Sequence, residues 1–294
     1  MVNQINRVAI VGGTHGNEFT GAYLIQKFAQ FPELITRRSF ETVTLLANPQ
    51  AFAAARRYVD KDLNRCFLRQ DLENPNLNSY EELQAKSIQN SLATNGDKQA
   101  DFILDLHSTT SNMGLTIILV NTHPFNLKLA AYLSERNPLV KVYCCSFKSV
   151  EENPFVNSLC ELGFAIEVGP IAQGVLKAKL FQQTEELIHA ILDYIERFNQ
   201  GEILATNETL TLYHHLSVVD YPKQQDGTIA MIHPELQDKD YQALNPGYPM
   251  FLTFENQTIV YQGESTVWPV FINEAAYYEK GIAMAFTKKE QLKI

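Results

Sequence analysis

The chain has 294 residues, with 24 Lys and Arg against 33 Asp and Glu, a formal net charge of −9 and 45% hydrophobic residues. That length supplies one large domain or two ordinary ones, with ample material for a buried core. The acidic balance, without any long Lys/Arg run, argues against nucleic acid and membranes as partners, and no apolar run approaches the roughly 18 residues that span a bilayer.

In chain order, Arg7–Gly12 is a short apolar run closed by glycines, which predicts a buried strand ending in a turn. Residues 17–31 carry Phe19, Tyr23, Leu24, Phe28 and Phe31 at helical spacing. Residues 41–47 read as a strand, 79–94 as a helix, and 101–106 as a strand running straight into His107. Strands at 116–120 and 140–145 flank a helix at 124–135, and 164–168 is a further short strand. Residues 177–198 repeat apolar side chains such as Leu187, Ile188, Ile191, Leu192 and Ile195 on one helical face, and Gly201 stops that helix. Strands alternating with helices predict a layered α/β domain with a largely parallel sheet over residues 1–198. Short β-type runs at 209–219, 227–232, 250–254, 258–261, 266–272 and 282–286, separated by Gly, Pro and Asn, predict a smaller β-rich domain over 199–294.

Five segments carry chemistry. In VGGTHGNE, His15 and Glu18 lie three apart where a glycine-rich turn enters a helix, so one helical turn lets both reach the same point. Imidazole and carboxylate are zinc ligands, although the pair alone also fits a solvated turn histidine beside an acid favoured by the helix dipole. In LDLHSTT, His107 stands at a strand end, where sites gather in open α/β sheets. Two close ligands and a distant third leave one zinc position open, which is the catalytic pattern. The segment ARRYVDKDLNRCF gathers Arg56, Arg57, Asn64 and Arg65, donors suited to a carboxylate, or else a surface network with Asp60 and Asp62. Glu167 in FAIEVGPIAQG is an acid within an apolar strand, the place for a paired or functional carboxylate and a natural general base beside zinc. NEAAYYEKG offers the phenols of Tyr277 and Tyr278. His214, His215 and His233 lack metal spacing to the first cluster, and His189 reads as a surface or core residue.

Taken together, GGTHGNE, DLNR, DLHSTT, IEVGP and WPVFINEAAYYEK resemble the aspartoacylase branch of the aspartoacylase/succinylglutamate desuccinylase family, in the family's order and across residues 7 to 280. The resemblance implies a zinc-carboxypeptidase-like α/β domain with a mixed, largely parallel sheet, followed by a β-rich domain that caps the active site. It implies one zinc per chain on His15, Glu18 and His107, Glu167 as acid/base, and Arg57 as the group that polarises the amide carbonyl. Asn64 and Arg65 match the carboxylate-binding pair, and Tyr278 the phenol that assists them. The implied reaction is hydrolysis of an N-acyl-L-amino acid, with N-acetyl-L-aspartate giving acetate and L-aspartate. One departure bears on the substrate: Asn153 and Asn157 stand where the family's tyrosine and arginine help to hold the side-chain carboxylate. Another N-acyl amino acid, succinylated, aromatic or aliphatic, is the alternative substrate. A zinc-containing binding protein without turnover is the rival of another class, and Glu167 speaks against it.

The apolar stretch near the amino terminus is too short for a signal-peptide core, so a cytoplasmic protein is expected. Cys66, Cys144, Cys145 and Cys160 form no CxxC and are expected as free thiols. A homo-oligomer is left open.

Overall fold

The computed structural model describes residues 4–92, 99–145, 152–202, 206, 208–223 and 227–294. The first part runs β1 (Arg7–Gly12), α1 (Phe19–Gln30), β2 (Glu41–Leu46), α2 (Pro49–Ala53), α3 (Arg69–Leu72), α4 (Tyr80–Leu92), β3 (Phe102–Ser108), β4 (Gly114–Leu119), α5 (Pro124–Arg136), β5 (Val140–Cys144), β6 (Leu162–Gly169) and α6 (Ala178–Asn199). The second part adds β7 (Thr209–Asp220), β8 (Met231–Ile232), β9 (Pro249–Leu252), β10 (Thr258–Val260), β11 (Trp268–Val270) and β12 (Ile282–Lys293). The expected helix at 79–94 matches α4, and its last two positions lie outside the described residues.

One nine-stranded sheet has the order β11-β12-β7-β5-β4-β6-β3-β1-β2, and a small antiparallel sheet has the order β10-β9-β8. The central strands are parallel except where β4 runs antiparallel to β6. Alternation along β1 explains the layers. Val8 and Ile10 join the core under α1, α5 and α6, while Ala9 and Val11 pack with Ala85 and Ile88 of α4 on the other face. The same alternation on β3 sends Leu104 and Leu106 into the first core and turns Asp105 and His107 to the opposite face, the one that Ile103 also faces. Gly201 has φ +78° and its N–H bonds back to the Phe198 carbonyl, ending α6 where the sequence predicts.

The β-rich part is joined to the first more closely than the sequence suggests. β7 extends the main sheet through Tyr143↔Tyr213 and Cys144↔His214, and β12 pairs along β7. The expected strand at 282–286 continues to Lys293, because residues 288–291 are exposed and carry no hydrophobic alternation to betray the pairing. The four cysteines are thiols and not disulfide-bonded, as expected.

Candidate functional site

The turn after β1 places His15 at the end of the sheet where β3 delivers His107. Gly13 takes φ +69°, and Gly16 passes so near the backbone of Ala51 and Phe52 that a Cβ would sit 2.1 Å from Ala51 carbon. The turn therefore seats on α2, and the Gly16 N–H donates to the Arg57 carbonyl at 3.1 Å. Glu18, just before α1, turns its carboxylate back to the same point. His15 Nδ1 lies 2.6 Å from Glu18 Oε1, and His107 Nδ1 lies 3.0 Å from Glu18 Oε2 and 3.2 Å from His15 Nδ1. One ligand atom from each of the three lies within 4.8 Å of the others, and all three residues are buried.

Two carboxylates brace the imidazoles from behind. Asp62 Oδ1 is 3.0 Å from His15 Nε2, and Asp105 Oδ2 is 2.5 Å from His107 Nε2. Each ring thus donates from Nε2 to a carboxylate and presents Nδ1 to the shared point, the arrangement that orients metal-binding histidines. The sequence offers Asp62 only as a partner for the neighbouring arginines and gives Asp105 no role, although Asp105 sits two before His107 on one strand and so shares its face. Burial opposes ionisation of Glu18, yet His15 and His107 hold its carboxyl far below the usual range. Burial likewise opposes Asp62, and His15, Arg57 and Arg65 hold it low.

Arg57 donates to Glu18 Oε1 at 3.1 Å and to Asp62 Oδ2 at 3.3 Å, so it faces the trio. The alternative of a network with acids is thus half realised, with Asp62 but not Asp60, which instead accepts from the Tyr80 N–H. The buried Glu81 holds this loop by accepting from the N–H groups of Val59, Asp60 and Lys61. Asn64 and Arg65 lie on the following 3-10 turn; Asn64 Oδ1 accepts from Val156 N–H, and Arg65 stacks on Phe155 at 5.2 Å. Glu167 on β6 registers beside His107 on β3, and burial followed by the nearby Glu18 pushes its carboxyl well above the usual range.

These groups share a cavity of about 240 Å³, lined among others by His15, Glu18, Arg57, Asn64, Arg65, His107 and Glu167. Ile118, Tyr143, His215, Phe271 and Ala285 also line it. Tyr278, the phenol that the resemblance implies for the site, does not line the cavity. It is 46% exposed and its hydroxyl donates to Asn273 Oδ1, whereas Tyr277 lines the cavity. The six-residue 3-10 turn Ala275–Lys280 turns adjacent side chains to different sides, which two identical neighbours in sequence cannot reveal. Asn153 and Asn157 are buried, but neither lines the cavity; Asn153 Oδ1 accepts from Phe155 N–H, and Phe155 is the residue that faces inward. His215, set aside in the sequence for want of metal spacing, lines the cavity because β7 docks on β5. Lys280 also lines it, its ammonium pushed down by burial and by Arg65. Glu274 ties this turn to the strand end after His107, accepting from the hydroxyls of Thr109 and Thr110 and the Thr110 N–H. Among the described residues no helix is long and apolar enough to cross a membrane.

Residues 4–195 match the family model for the succinylglutamate desuccinylase/aspartoacylase catalytic domain, and residues 208–289 match that of the AstE/AspA barrel-sandwich hybrid domain. The chain is 63% identical to a probable aspartoacylase of Trichodesmium erythraeum (strain IMS101) over 100% of both chains. It is 43% identical to the human N-acyl-aromatic-L-amino acid amidohydrolase (carboxylate-forming), covering 97% of this chain and 91% of that one. The crystal structure of murine aminoacylase 3 superposes with a TM-score of 0.93 at 40% identity, covering 100% of this chain and 98% of that one. A buried His-Glu-His trio in an α/β domain with a β-rich partner, together with these matches across the chain, makes this protein a member of the succinylglutamate desuccinylase/aspartoacylase family, an amide hydrolase of the N-acyl amino acid type.

Proposed function

We propose that the chain is a zinc-dependent amidohydrolase that cleaves N-acyl-L-amino acids, including N-acetyl-L-aspartate to acetate and L-aspartate. The observation that carries this reading is the buried trio His15, Glu18 and His107, gathered within 4.8 Å in the cavity that also holds Glu167 and Arg57. Two imidazoles and one carboxylate, with each ring held from behind by Asp62 or Asp105, fit a single zinc and leave a position open. When bound, zinc supplies Lewis acidity toward the amide carbonyl and lowers the pKa of a water from 15.7 toward about 7.

The rest falls to side chains. Glu167, its carboxyl raised by burial, accepts the proton of the attacking water and returns a proton to the departing nitrogen, which is otherwise a poor leaving group. Arg57 donates to the oxygen on which charge develops, an interaction worth roughly 3–4 kcal/mol for one well-placed donor. Asn64, Arg65 and Tyr277 hold the α-carboxylate so that the amide faces the trio. Water adds across the amide, and a carboxylate and a free amino acid leave.

Lys280 is the cation placed to receive the second carboxylate of N-acetyl-L-aspartate, in place of the arginine that the sequence lacks before Glu167. A second reading, an uncharged side chain, is favoured by the apolar lining of Ile118, Phe271 and Ala285. Four cysteines kept as thiols fit a reducing compartment such as the cytoplasm. The test is zinc content together with turnover of N-acetyl-L-aspartate, N-acetyl-L-alanine and N-succinyl-L-glutamate. One zinc per chain with release of free amino acid is the expected result. Zinc-loaded protein that turns over no acylated amino acid would overturn the reading.

A further inference from the structure

A second cavity, of about 360 Å³, shares no lining residue with the one that holds the trio. It lies where the main sheet comes apart. β5 and β7 register at Tyr143↔Tyr213 and Cys144↔His214, while their earlier residues, 140–142 and 209–211, are not paired with each other among the described residues. Alternation sorts the side chains around this opening. Val140 and Val142 join the core under α5, so Lys141 takes the other face, with Tyr143. Thr211 shares the face of Tyr213, and so does Lys289, which stands opposite Tyr213 on β12. Yet Ser134 and Glu135 of α5 line the same cavity as Lys141, Thr211 and Lys289, so the opening reaches both faces of the sheet.

The two faces offer opposite chemistry. Away from α5 the groups are donors. Lys141 Nζ donates once, to the Pro138 carbonyl at 3.0 Å, and neither Lys141 nor Lys289 meets a carboxylate among the described residues. Thr211 Oγ1 accepts from Gln291 Nε2 at 2.7 Å, which leaves its own O–H to donate. On the α5 side the groups are acceptors. Glu135 brings a carboxylate, with Arg136 Nη1 3.6 Å from it. The Ser134 hydroxyl donates to the Ala131 carbonyl at 3.1 Å, which leaves its oxygen to accept. Both residues sit in the last turn of α5, where the helix dipole favours a cation. Ala131, Val140 and Val142 supply the apolar part of the lining.

We propose that this opening is an effector site for a free amino acid with an apolar side chain. Lys141, Lys289 and Thr211 take the carboxylate, and Glu135 and Ser134 take the ammonium. A simple anion meets Glu135 and a simple cation meets two lysines, whereas a molecule that carries both charges and an apolar side chain matches every part of the lining. The path to the catalytic cavity is one register pair long. Tyr143 lines the catalytic cavity, and Tyr213, its partner in register, lines this one. His215, two residues further along β7, lines the catalytic cavity as well. A ligand held between β5 and β7 therefore bears on two residues of the catalytic wall, which couples the two sites. The effector belongs to the same class as the amino acid that hydrolysis releases; that link and the kinetic test rest on the amidohydrolase reading, and the binding test does not.

The binding test titrates L-leucine, isocaproate and isoamylamine calorimetrically into wild type, Lys289→Gln, Glu135→Gln and Arg65→Ala, the last of which alters the carboxylate anchor of the catalytic cavity. L-Leucine is expected to bind wild type about tenfold or more tightly than either analogue, each of which lacks one of its charges. Lys289→Gln and Glu135→Gln should each weaken L-leucine binding by about tenfold or more, the loss of one charge-assisted hydrogen bond, and Arg65→Ala should leave it unchanged. The kinetic test follows N-acetyl-L-alanine turnover with and without L-leucine. L-Leucine should change KM by about fivefold or more in wild type and leave it unchanged in Lys289→Gln. No binding to wild type, or binding that Arg65→Ala abolishes and Lys289→Gln and Glu135→Gln spare, overturns the site. Binding at the site with kcat and KM both unchanged overturns the effector role. Absence of any turnover overturns the amidohydrolase reading instead, and calorimetry then still decides whether the site exists.

Discussion

Each imidazole of the trio is held by an acid that never needs to touch a substrate. Replacing Asp105 or Asp62 by Asn keeps the shape but weakens the grip on the ring, and such partners typically contribute 10- to 100-fold to metal affinity. Either variant is therefore expected to bind zinc about that much more weakly in a competition titration, while His107→Ala, which removes a ligand outright, should purify without zinc. Unchanged affinity in both Asn variants would assign the two acids a purely structural part. Glu167→Gln is the complementary case: it should keep its zinc and lose about 10²–10⁴ in kcat, the usual contribution of a positioned acid/base. An activity loss tracking zinc loss would count against that role. The two arginines also part company. Arg57, which reaches Glu18 and the developing charge, should on change to Lys depress kcat, and Arg65→Lys should raise KM, since the carboxylate is present throughout.

Among the elements, the 3-10 turn Ala275–Lys280 carries most of what the sequence left ambiguous. It brings Tyr277 and Lys280 over the cavity, and Glu274 before it is the fastening: its Oε2 accepts from Thr109, Thr110 and Ser111, and its Oε1 caps the turn through Ala276 N–H. Glu274→Ala strands several of these buried donors, each costing about 1–3 kcal/mol, and releases Tyr277. KM is expected to rise by a larger factor than kcat falls, with a lower Tm; a changed Tm with unchanged KM would limit Glu274 to stability. On the neighbouring loop, Asp240 accepts from Asn112 and Ile272 N–H groups, and burial pushes its carboxyl up to about 7. The folded chain then holds a proton that the unfolded chain releases near pH 4. This contribution to stability is complete below pH 4, declines as pH rises toward 7, and is constant above. Unfolding by urea at pH 4.5 and 7.5 should show this decline in wild type relative to Asp240→Asn, which has no proton to lose there.

Across the whole molecule, what was legible in the sequence was what is local. His15 and Glu18 are three residues apart, His107 ends a recognisable strand, and β1, α1, β3 and α6 all show their periodicity. What was hidden depends on distant pairing. Two register pairs between β5 and β7 make a single sheet and turn His215 into a cavity wall, and the exposed end of β12 has no pattern to read. The same long reach makes the trio a clamp. His15 and Glu18 arrive from the β1–α1 turn and His107 from β3, while Asp62, Asp105 and Glu167 crowd the same volume in a chain already at −9. A divalent cation held there would offset carboxylate repulsion and, binding only the assembled arrangement, would stabilise the fold by mass action. At a free zinc concentration 100 times its Kd, the gain is about 2.7 kcal/mol. At the entropy of unfolding typical of this size, that corresponds to roughly 4–7 °C in Tm. Thermal unfolding of zinc-loaded protein, the same protein after chelation, and the chelated protein given zinc again should show that fall and its recovery. His107→Ala, lacking one jaw of the clamp, should unfold at a temperature that neither chelator nor added zinc changes; a zinc-dependent shift of full size in that variant would place the stabilising site elsewhere.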